Sequence, residues 1–127
     1  MKHNGIGYID TALAHFNSPE EAMIGCLLTN AEDQEKYLED TNLHTLFTEG
    51  INELIVTVME SDYLLLVPID MPTVLDQTVN IAKRAKRFDL TEEVIKEHLY
   101  DCLEKATLKT ETVYASLLYW KKWRDTK

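Results

Sequence analysis

The scarcity of chain-breaking residues constrains this sequence most. Of its four glycines, Gly5, Gly7 and Gly25 fall in the first 25 residues, and beyond them only Gly50, Pro68 and Pro72 interrupt the chain. Few breakers over a long charged stretch favour helices over strands and loops. The stretches between breakers are opened by Ser18, Asn30, Thr48, Asp70, Thr91 and Thr110, whose short side chains suit helix N-caps. The expectation is an all-α fold, a compact bundle of about six helices ending in a helical hairpin. Residues 18–127 form the single domain and residues 1–17 an N-terminal arm. At 127 residues a core needs no staples.

Apolar spacing places the helices. Ser18-Pro19-Glu20-Glu21 reads as cap, first-turn proline and capping box. The following run from Ala22 to Leu28 is apolar nearly all round, which predicts a central helix. Asn30 caps a helix over about 31–39 with Tyr37 and Leu38 inward, and 42–47 buries Leu43, Leu46 and Phe47 in a turn or a short helical piece. Thr48 caps about 49–62, where Ile51, Leu54, Ile55, Val58 and Met59 recur at helical rather than alternating spacing. Asp70 follows the Pro68-Ile69 turn and caps about 71–87, carrying Val74, Leu75, Thr78, Val79 and Ala82. Thr91 opens about 92–106, with Val94, Ile95, His98, Leu99 and Cys102 inward. Thr110 opens about 111–125, with Val113, Tyr114, Leu117, Leu118 and Trp120.

Charge is divided along the chain. Residues 1–80 hold two Lys/Arg against 14 Asp/Glu, a net of −12, and residues 81–127 hold 11 against 8, a net of +3. An acidic front half argues against general binding to a nucleic-acid backbone. The basic patches at 83–87 and 121–124 suit helix C-termini, and a contact with nucleic acid or an acidic partner is the other reading. Cys26 and Cys102 are too few and too far apart for a disulfide scaffold. No apolar run nears the roughly 18 residues of a membrane span, and no signal segment opens the chain. The expected location is the cytoplasm, with no membrane contact.

Chemistry is sparse. His3, His15, His44 and His98 never pair at i,i+3 or i,i+4, so the HxxxH metal spacing is missing. His98 and Cys102 are i,i+4, but two further ligands are not evident and the pair reads as core. The many carboxylates read as solvated faces. No glycine begins a GxxxxGK[ST] phosphate loop. The sequence therefore offers no catalytic, cofactor-binding or metal-ligating set. Tyr114, Tyr119, Trp120 and Trp123 are different: four large aromatics in ten residues exceed what one buried stripe needs. With Lys121, Lys122 and Arg124 they form the candidate surface for partner binding or self-association.

The order of several short motifs resembles the N-terminal domain of the DnaB-type replicative helicases of bacteria and phages. Glu21-Ala22 followed by Met23-Ile24-Gly25-Cys26-Leu27-Leu28 is similar to that family's first helix. Leu46-Phe47, Ile55 and Pro68-Ile69-Asp70-Met71-Pro72-Thr73-Val74 fall at the family's spacing, and residues 112–118 are similar to its closing amphipathic helix. The resemblance spans about 18–120. Asn52 stands where the family often has His, residues 81–109 match poorly, and the ATPase core is absent. The helicase-binding C-terminal region of bacterial primase is the nearest competitor.

The resemblance implies a collar that hydrolyses nothing, pairs with its own copy through a helical hairpin, and docks primase, a helicase loader or the helicase itself. A different class is an acidic phage-type inhibitor or mimic that uses residues 20–76 to bind a nucleic-acid-binding protein. A small enzyme built on a helical bundle is a third, and an unrelated helical domain a fourth. The first two part on whether DNA competes for the partner, and a tightly bound metal or cofactor marks the third.

Overall fold

The structure, a computed structural model, describes residues 19–126. Six α-helices follow one another: α1 (Pro19–Thr29), α2 (Ala31–Leu38), a 3-10 turn (Leu43–Leu46), α3 (Ile51–Leu64), α4 (Met71–Arg84), α5 (Glu92–Lys105) and α6 (Thr110–Asp125). No strand occurs among the described residues. No helix among them is long and apolar enough to cross a membrane.

The bundle is built around α1. Every residue from Ala22 to Leu27 is buried, as an all-round apolar sequence requires. α5 covers α1 most extensively and α6 next, while α2 and α3 close the remaining sides and α4 packs on α3 and α5. The final two helices, joined by residues 106–109, each pack on α1 more than on each other. Their inward stripes are Ile95, Leu99 and Cys102 on α5 and Val113 and Leu117 on α6. Val94 and Leu118, also expected inward, are exposed. Each sits one residue from its stripe, about 100° around the helix.

Three caps form as the sequence predicts. Asn30 Oδ1 accepts from the N–H groups of Glu32 and Asp33 at 2.9 and 3.3 Å, Asp70 Oδ1 from Thr73 at 3.0 Å, and Thr91 Oγ1 from Val94 at 3.2 Å. Two do not. The cap position of α3 falls on Gly50, with φ at 148°, and the Thr48 N–H and hydroxyl are taken by Glu20. Thr110 lies inside α6 and its hydroxyl donates to Asp33, tying α6 to α2. Ser18 and the arm expected over 1–17 lie outside the described residues. Glu21, expected to close a box on Ser18, pairs instead with Lys105 of α5.

The contact that sets the α1–α5 spacing is at Gly25. A Cβ there would meet the Cys102 carbonyl oxygen at 2.0 Å and its carbon at 2.7 Å. Backbone touches backbone, so no side-chain rotation relieves the clash. Gly25→Ala is expected to destabilise the fold by about 3 kcal/mol or more, at or beyond the upper end of overpacking costs. Gly50→Ala, with nothing within 4 Å of the new Cβ, meets only the strain of its φ, about 1–3 kcal/mol. Urea-unfolding midpoints of the two variants check both the order and the size.

Candidate interaction site

Three carboxylates that sequence reasoning left in solvent are buried: Glu20, Glu60 and Asp62. Glu20 accepts from the Thr48 N–H at 2.8 Å, the Thr48 hydroxyl at 3.0 Å and Asn52 Nδ2 at 3.2 Å, and Arg124 Nη1 lies 3.9 Å away. Since Glu20 only accepts, Asn52 presents its NH2 there and turns its oxygen to His98, whose Nε2 lies 2.6 Å away. That oxygen fixes the proton on Nε2 of the neutral ring. Burial pushes the His98 pKa below its ordinary value. The chain Thr48–Glu20–Asn52–His98 links α1, α3 and α5, and Arg124 brings in α6. Glu60 accepts from the His44 N–H at 3.1 Å and lies 2.8 Å from His44 Nδ1, fastening the 3-10 turn to α3. No sequence spacing announces these pairings, which join residues up to 46 positions apart within the Glu20–Asn52–His98 chain.

The His98–Cys102 pair is core. His98 Nε2 is taken by Asn52, and burial pushes the Cys102 thiol up to about 12, far from the thiolate that binds metals. Both cysteines are free and buried.

The residues proposed for a contact surface separate. Tyr114 turns inward, its ring 4.9 Å from that of Tyr37. Arg124 also turns inward: Nη2 donates to the Leu46 carbonyl at 3.2 Å, so it fastens α6 to the 3-10 turn instead of flanking an exposed ring. Lys121 pairs with Asp125 at 3.0 Å, one turn on, and Lys122 is exposed. Tyr119, Trp120 and Trp123 stay together. Their rings form an edge-to-face ladder, Tyr119 to Trp120 and Trp120 to Trp123 each at 5.7 Å and 79°. Trp123 is 47% exposed and the other two are half-buried.

A second surface was not anticipated. Leu64, Leu65 and Leu66, just before Pro68, are 62%, 69% and 91% exposed. Beside them a groove of about 200 Å³ runs between one face of α3, Val58 to Leu65, and one face of α4, Gln77 to Arg84. Another cavity of about 310 Å³ lies where α1, α2 and the start of α6 meet, lined by Cys26, Asn30, Asp33 and Thr110 among others. There Asn30 caps α2 and Asp33 accepts from Thr110, so those polar groups already serve the fold.

The half-buried neutral His98 sets a pH dependence. Its folded pKa is below its unfolded value near 6.5, so the unfolded chain binds the proton more readily. Its contribution to stability is complete above about pH 6.5 and is lost as pH falls below it. The stability gap between wild type and His98→Asn is expected to narrow between pH 7.5 and pH 5, checked by urea midpoints at both values. Compared with known proteins, the chain matches no family model, no curated protein and no solved structure.

Proposed function

We propose that this chain is a non-catalytic protein–protein interaction domain of the DNA replication machinery. It works as a helicase collar does, self-associating and docking a primase, a helicase loader or the helicase. The observation that carries the interaction reading is the Tyr119–Trp120–Trp123 ladder, half in water, beside the exposed Lys122. Rigid aromatic rings next to cations are the common make-up of binding hot spots. Other exposed apolar residues lie on α6, on α5 before it and on their connection: Val94, Tyr100, Leu108 and Leu118. Assignment to replication rests on the motif order from Glu21 to Leu118 and on the all-helical architecture it implies.

A second reading, an acidic inhibitor or mimic of nucleic acid, draws on α2 and the turn after it. Glu32, Glu35, Glu39 and Asp40 are all exposed there, within an acidic front half. A partner displaced by duplex DNA favours this reading, and a partner indifferent to DNA favours the collar.

Trp123→Ala is expected to weaken self-association or partner binding by about 1–3 kcal/mol with little loss of fold. Leu117→Ala, nearly two turns earlier and on the buried stripe, is expected to destabilise by about 2–4 kcal/mol as a core truncation. Analytical ultracentrifugation at micromolar concentration, with thermal melts of each variant, separates the two effects. A wild type that stays monomeric at high concentration counts against self-association. A Trp123→Ala variant that unfolds with no separable binding loss removes the hot spot.

A further inference from the structure

The groove between α3 and α4 holds polar atoms that the fold leaves unused. Asp62 is 2% exposed and lines the groove, and its Oδ2 is buried without a hydrogen-bond partner. Gln77, across the groove on α4, is near enough to influence Asp62 and leaves its own Oε1 buried and unpartnered. Both side chains line the same groove, and each leaves one acceptor oxygen unmet. An unmet buried carboxylate oxygen costs several times what an ordinary hydrogen bond contributes. Glu20 and Glu60, also buried, are each met by several donors or a histidine, so among the buried carboxylates the deficiency is particular to Asp62.

Two negative contributions near the acceptors favour a cation. Asp62 sits in the last turn of α3, at the negative end of the helix dipole. Asp70 adds a second carboxylate charge that Asp62 feels. Arg84 lines the groove but is exposed, and it leaves Asp62 Oδ2 unmet.

The approach to the groove is apolar. Leu65 forms part of its wall, and Leu64 and Leu66 flank Leu65 in the chain. Leu66 breaks two local rules at once. It is 91% exposed, and it ends α3 in a left-handed conformation (φ 60°) that glycine fills at less cost. A residue that contradicts both its burial and its backbone is expected where function outweighs stability.

We infer that this groove binds the guanidinium of an arginine carried by a partner protein, with Asp62 and Gln77 accepting its N–H groups and Leu64, Leu65 and Leu66 packing on the residues beside that arginine. A planar fork of donors suits two acceptors better than the point charge of an ammonium. Its aliphatic stem fits between Val58 and Ile81 on the groove walls. The surface is separate from the aromatic ladder of α6 and does not depend on it.

The test uses the whole chain and the peptide acetyl-Leu-Arg-Leu-amide, with its citrulline counterpart as the uncharged control, followed by 1H–15N NMR. Saturable shifts at the Gln77 side-chain amide and Asn80 are expected with the arginine peptide, with affinity at least tenfold lower for citrulline. Asp62→Asn is expected to abolish binding while melting at or above the wild-type temperature. Burial raises the Asp62 pKa, so its charge opposes folding at neutral pH and the amide removes that cost. Arg84→Ala is expected to bind as well as wild type. Equal affinity for both peptides, or binding undisturbed by Asp62→Asn, overturns the assignment. So does an Asp62→Asn variant that melts well below wild type, since the carboxylate would then be serving the fold. If Asp62→Asn alters sedimentation of the chain alone, the occupant is a second copy and the partner assignment falls. A Trp123→Ala chain that still binds the peptide keeps this site distinct from the α6 surface.

Discussion

The approach of α1 to α5 at Gly25 governs the rest of the molecule. Because a Cβ would overlap the Cys102 carbonyl, the two helices lie closer than side-chain packing alone permits. That closeness lets one helix of 11 residues serve as a core for its neighbours. It has no outward face, so any shift of α1 exposes apolar surface on one side while overpacking the other. α2, α3 and α6 are then placed by what remains of its circumference.

Buried charge fixes what apolar packing leaves free. Hydrophobic contact tolerates sliding, whereas the Glu20–Asn52–His98 chain is directional and each member has one workable orientation. Arg124 and Glu21 extend this pinning to α6 and α5. Breaking a buried pair by removing one partner costs more than the pair contributes, so these residues specify register more than they add stability. Asp62 is the exception: its deficit is tolerated by a fold secured elsewhere.

The helical class, the central role of α1 and the caps at Asn30, Asp70 and Thr91 were legible because each rests on residues close in sequence. Local signals misled where a distant partner outbid the local one. Thr48 and Thr110 have the chemistry of caps, but Glu20 and Asp33 claim their hydroxyls across 28 and 77 positions. Arg124 and Tyr114 looked like surface for the same reason, since the Leu46 carbonyl and the Tyr37 ring cannot be read from their neighbours. Of the aromatic excess only the part from Tyr119 to Trp123 stayed together, and helical spacing alone could not say which rings would. The groove at Asp62 was illegible: acidic residues are common here, and only the packing of α3 against α4 separates this one from the solvated majority.

An α1 without an outward face has a consequence for synthesis. Its principal cover, α5, begins at Glu92, more than sixty residues after α1 ends at Thr29. At translation rates of about 5–20 residues per second, the most apolar helix waits several seconds before its main neighbour exists. During that interval, among the described residues, α2 and α3 are its available neighbours, and the backbone contact at Gly25 has no counterpart to meet. The late helices close a long loop before their contacts repay its entropy, which slows folding relative to bundles of successive neighbours. Nascent α1 is therefore the segment of this chain most suited to capture by a ribosome-associated chaperone.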